Sequence, residues 1–134
     1  MARARILLAD DHKEMRDRVA RVLENEFEVL EAVTDGQALL EAASELKPDL
    51  CLLDISMPVM NGFEAANQLR ESGSKAKIVF LSIHEDRDFV REAFKAGASA
   101  YVIKRRMARD LCTAVREALA GRTFISGIPN GELE

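Results

Sequence analysis

The 134-residue chain is 48% apolar and 31% charged, with a net charge of −4 and a pI near 5.3. This is enough for one domain with a self-sufficient core and too little for two, and the acidic balance excludes nucleic-acid binding through a basic face of this chain. No span approaches the length of a transmembrane helix, the first apolar run is too short for a signal peptide, and Cys51 and Cys112 are too distant to read as a zinc pair, so a reduced, cytoplasmic domain is expected.

The first predicted element is a buried strand over Ile6–Ala9, followed at once by two carboxylates, Asp10 and Asp11. Met15, Val19, Val22 and Leu23 then fall at helical spacing, with Asp11 and Glu14 placed as a capping box. Phe27–Ala32 reads as a strand whose Glu28 and Glu31 suit a sheet edge. Leu39, Ala43 and Leu46 form the next helical stripe, with Thr34 and Gln37 as a second capping box, and Lys47-Pro48 ends it. Leu50–Leu53 is a wholly apolar strand in which Cys51 is a small core residue, and Asp54 follows it. Phe63, Ala66 and Leu69 make a weaker helical stripe. Ile78–Leu81 is a strand that ends at Ser82. Val90, Ala93 and Phe94 predict a fourth helix stopped by Gly97. Ala100–Ile103 is a strand that ends at Lys104. Leu111, Val115 and Ala118 predict a fifth helix stopped by Gly121. The tail after Gly121 carries no helical or strand pattern.

This alternation predicts an α/β fold: a five-stranded parallel sheet, doubly wound with helices on both faces. In such sheets ligands bind outside the carboxyl ends of the strands. Asp10, Asp11, Asp54, Ser82 and Lys104 all follow strands, so all should reach one rim. Clustered carboxylates repel unless a cation neutralises them, and oxygen ligands of this kind suit Mg2+. A nearby ammonium and hydroxyl then suit a phosphate group, and one carboxylate can be the nucleophile that forms an aspartyl phosphate. Taken singly, each residue also has an ordinary reading: Asp11 as a helix cap, Asp54 as a turn residue, Ser82 as a strand-end hydroxyl, Lys104 as a solvated charge.

The stretches LADD, LLDISMPVMNG, FLSIHED and AGASAYVIK together resemble the receiver domain of two-component response regulators, and GRTFIS after the fifth helix is similar to the connector of the NarL/FixJ-like subgroup. The resemblance implies a flavodoxin-like fold over residues 1–121. It also implies that residues 122–134 are a tail or connector, which would lead into a helix-turn-helix output domain in an excised receiver or end the chain in a stand-alone one. It implies Asp54 as phosphoacceptor and Mg2+ held by Asp10, Asp11, Asp54 and the Ser56 carbonyl. Ser82 and Lys104 would bind the phosphoryl group, and Tyr101 would be an aromatic switch. Ser56 and His84 would tune dephosphorylation. A cognate histidine kinase would be the donor, a homodimer is open, and DNA would be reached only through the missing output domain, to regulate transcription; no membrane partner is implied. Apart from phosphotransfer to itself and its own dephosphorylation, no enzymatic activity is implied. Two alternatives stand beside this: an interaction module that works without phosphate, and an aspartyl-nucleophile phosphatase, although Asp10-Asp11 lacks the Asp-x-Asp spacing of the latter. Arg105 departs from the family, in which Pro commonly follows the lysine.

Overall fold

All five expected strands form within a residue or two of their predicted ends, and a sixth joins them. The computed structural model describes residues 3–127. The chain runs β1 (Arg5–Ala9), α1 (Lys13–Glu24), β2 (Glu28–Val33), α2 (Gly36–Leu46), β3 (Leu50–Leu53), α3 (Gly62–Glu71), β4 (Lys77–Ser82), α4 (Arg87–Lys95), β5 (Ala100–Ile103), α5 (Met107–Leu119) and β6 (Phe124–Ile125). A 3-10 turn over Lys104–Arg106 links β5 to α5. The strands are all parallel, in the order β2-β1-β3-β4-β5-β6.

Strand alternation splits the core in two. Leu7, Cys51, Phe80 and Tyr101 pack on one face with Leu39, Ala65 and Ala93 from α2, α3 and α4. Ile6, Leu52, Val79 and Val102 pack on the other with Val19, Leu23, Leu111 and Val115 from α1 and α5. Because both faces are covered, β3, β4 and β5 show the unbroken apolar runs of a parallel sheet. β2 lies at the sheet edge, as its glutamates indicate, with Glu28 and Glu31 exposed. Burial without polar partners pushes the Cys51 thiol up to about 12, so it stays a neutral core residue.

Helix stops follow the sequence reading. Gly97 and Gly121 have φ of 102° and 82°. Each sits in a paired C-terminal bond pattern: Ala98 N–H to Ala93 O and Gly97 N–H to Phe94 O, then Arg122 N–H to Glu117 O and Gly121 N–H to Ala118 O. Helix starts differ from the reading. The N-cap of α1 is His12, with no side-chain cap bond, so the Asp11–Glu14 box does not form. The N-cap of α2 is Asp35, whose carboxylate accepts from Ala38 N–H, so Thr34 and Gln37 are displaced by one residue. At α2 two neighbouring residues with capping side chains compete for one position, and the carboxylate wins.

The tail is the other correction. Phe124 and Ile125 pair with Ala100 and Tyr101, which makes the sheet six-stranded rather than five-stranded. Two residues carry no readable period, so pairing with the β5 edge decides their state. The remainder of the tail, residues 128–134, lies outside the described residues.

Candidate functional site

Sheet register builds the acidic rim. Ala9 pairs with Leu53, so the next residues, Asp10 and Asp54, emerge side by side. Backbone bonds fix both: Asp54 N–H donates to Ala9 O at 3.0 Å and Asp10 N–H donates to Val33 O at 3.0 Å. This is where the strand order reverses between β1 and β3, the switch point at which open α/β sheets place their ligands. On the other flank Ser82 pairs with Ile103, which brings Lys104 to the same rim.

Asp10, Asp11, Asp54 and Lys104 converge as the sequence predicts. Asp10, Asp54 and Ser82 are buried. Lys104 Nζ donates to Asp54 Oδ2 at 3.3 Å and lies 3.2 Å from Asp10 Oδ2. The second approach has ion-pair distance without hydrogen-bond geometry. Asp10 Oδ2 is therefore the buried side-chain polar atom left without a hydrogen bond among the described residues. Asp10 Oδ1 accepts from His12 N–H at 2.8 Å, and Arg16 Nη1 donates to the Asp10 carbonyl at 2.9 Å. One ammonium thus serves two buried carboxylates. Burial raises the Asp54 pKa, and the Asp10 charge adds to this, against the lowering effects of Lys104 and of the Ser56 N–H on its carboxylate.

Asp11 stands at the mouth of the cluster, exposed, with Oδ1 3.0 Å from His12 Nδ1. Ligand atoms of Asp10, Asp11, His12 and Asp54 lie within 4.8 Å of one another. Sequence reading passed over His12; its position directly after the Asp-Asp pair was the available signal. The set fits Mg2+: it offers carboxylate oxygens, one of them buried and orphaned, with negative charge in excess over one lysine.

The opposite wall carries Ser82, His84 and Tyr101. Ser82 Oγ accepts from His84 N–H at 3.0 Å, and the Tyr101 hydroxyl donates to the His84 carbonyl at 2.7 Å. Tyr101 is fully buried in the α2–α3–α4 face, and that burial raises its pKa. The His84 ring stacks on Phe89 of α4, centroids 3.9 Å apart and 8° from parallel. Ser56 is exposed at the mouth. Arg105 forms a two-pronged bridge to Glu85, Nε to Oε2 at 2.7 Å and an Nη to Oε1 at 2.6 Å, between the 3-10 turn that carries Lys104 and the loop that follows Ser82.

The loop after β3 is held tightly. Val59 has φ 68°, a conformation that β-branched residues rarely adopt, and Met60 N–H closes a three-residue turn on Pro58 O at 2.7 Å. Gly62 N–H donates to Ile55 O at 2.8 Å. A Cβ on Gly62 would stand 2.4 Å from the Asp54 carbonyl oxygen. That contact is the reason only glycine fits where α3 starts beneath Asp54.

Comparison with known proteins agrees with this geometry. The response regulator receiver domain family matches residues 6–116. Transcriptional regulatory protein DegU of Brevibacillus brevis is 38% identical over 90% of this chain and 52% of its own. Chemotaxis protein CheY of Halobacterium salinarum is 32% identical over 85% of this chain and 95% of its own. A solved two-component response regulator of the LuxR family from Aurantimonas sp. superposes with a TM-score of 0.89 at 32% identity, covering 94% of this chain and 91% of that one. The chain spans about half the length of the curated transcription regulators it matches. Receiver domains generally bind Mg2+ at an acidic cluster of the kind formed here by Asp10, Asp11 and Asp54. With the fold, the rim and the relatives in agreement, the chain belongs to the receiver-domain family of two-component response regulators, on the NarL-like, LuxR-type side of that family.

Proposed function

We propose that Asp54 is the phosphoacceptor of this receiver and that its phosphorylation switches the α4–β5 surface to control an output, transcription being the one its relatives suggest. The observation that carries this is the buried Asp10–Asp54 pair sharing one ammonium, with Asp10 Oδ2 left without a hydrogen bond. An Asp54 carboxylate oxygen attacks the phosphorus of a phosphohistidine on the cognate kinase; an O–P bond forms, the P–N bond breaks, and the imidazole leaves. Asp10, Asp11, Asp54 and the Ser56 carbonyl would hold Mg2+, which supplies countercharge to the phosphoryl oxygens. Lys104 pairs with the phosphoryl group, and Ser82 exchanges its bond from His84 N–H for one donated to a phosphoryl oxygen. Tyr101 reports that movement, because its hydroxyl is bonded to the same loop at the His84 carbonyl. Ser56 and His84 flank the path of the water that later hydrolyses the acyl phosphate.

The inward Tyr101 supports a second reading, in which the receiver presents its switched surface without phosphate. The intact acidic cluster favours the first. An acyl phosphate at residue 54 is diagnostic. Incubation with Mg2+ and acetyl phosphate followed by borohydride reduction is expected to convert residue 54 to homoserine. Recovery of unmodified Asp54 contradicts the proposal.

A further inference from the structure

The segment after α5 returns to the edge of β5, the strand that leads to Lys104. Ser126 is 3% exposed, and its hydroxyl accepts from Ile103 N–H at 3.0 Å and donates to Asp110 Oδ2 at 2.9 Å. Asp110 is 5% exposed and also accepts from Arg106 Nε at 2.9 Å. Ile103 is the residue before Lys104, and Arg106 closes the 3-10 turn that Lys104 opens. The turn bearing the ammonium is therefore gripped at both ends by one buried network. Ser126 N–H also donates to the Tyr101 carbonyl at 2.9 Å, so the same residue holds β5 at two successive points.

We propose that Ser126 is a positioning residue for Lys104. Its hydroxyl steadies the turn that carries the ammonium, and its own seating is coupled to the state of Asp54. This rests on the reading that Lys104 binds the phosphoryl group. A buried hydroxyl set between an amide and a carboxylate fixes backbone position more narrowly than sheet pairing alone. Because the coupling is reciprocal for equilibria, a change in the Lys104 turn is felt by the chain that continues beyond Ser126.

The test is a double-mutant cycle on the rate of Asp54 phosphorylation by acetyl phosphate with Mg2+, using the full chain. Ser126→Ala, which removes both bonds of the hydroxyl, is expected to slow phosphorylation about three- to tenfold, and Ser126→Thr to retain most of the rate. In a Lys104→Ala background Ser126→Ala is expected to cause no further slowing. Equal slowing in both backgrounds, or none in the parent, overturns the inference while leaving the phosphoacceptor role intact. A parent chain that accepts no phosphoryl group overturns that role and this inference together. Should Ser126→Ala not fold, Ser126→Cys, with the same size and a weaker hydrogen bond, takes its place in the cycle under the same criteria.

Discussion

Asp54 is held in a form that favours its proton. Burial and the Asp10 charge raise its pKa above the ordinary 3.8 despite Lys104. Between the ordinary value and the raised one, the folded state binds more protons than the unfolded state. Stability therefore falls as pH rises through that window, and the cost is absent below it. Asp54→Asn removes the cost and leaves Lys104 paired with Asp10 alone. It is expected to stabilise the apo protein at pH 7 by on the order of 1 kcal/mol, roughly 3–6 °C in Tm. The gain should fade as pH falls through the ordinary carboxyl value. A Tm gain that does not change with pH contradicts this account. Single residues were legible where a strand end fixed them: Asp10, Asp54, Ser82 and Lys104 could be placed because each closes an apolar run. His12 and the helix caps were not: Thr34 and Asp35 are capping residues one position apart, and at α1 the backbone path puts His12 at the cap position in place of Asp11.

The β3–α3 connection shows what an element junction demands. Its glycine is set by contact rather than by a positive φ: the helix start presses on the Asp54 carbonyl. Gly62→Ala is expected to push α3 off β3, costing about 1–3 kcal/mol, the usual range for overpacking, and to slow phosphorylation of Asp54. An unchanged Tm would mean that the loop yields freely. Elements with several turns or a full apolar run were legible in the sequence: every helix stripe and the alternating faces of β1, β3, β4 and β5 match the two cores. β6 was not. Two residues show neither period, and what makes them a strand is the exposed edge of β5 and the anchoring bonds of Ser126.

At the scale of the molecule, topology does the assembling. Asp10, Asp54 and Lys104, from the ends of β1, β3 and β5, meet because parallel strands share one carboxyl rim and the order reverses beside β1, and Ser82 ends β4 between β3 and β5. That convergence was readable from spacing alone. The ammonium shared by two carboxylates, the orphaned oxygen and the seating of the tail are distances, and no sequence pattern encodes them. No helix among the described residues is long and apolar enough to cross a membrane. The rim exists, on this account, to hold a divalent ion against a phosphorylated carboxylate. The direct measurement is intact-mass kinetics with acetyl phosphate, with Mg2+ present and then chelated, for the parent and Asp54→Asn. The account predicts one added phosphoryl group per chain in the parent, loss of that gain on chelation, and none in the variant. Modification of Asp54→Asn at the parent rate, or a parent that gains nothing with Mg2+ present, would contradict it.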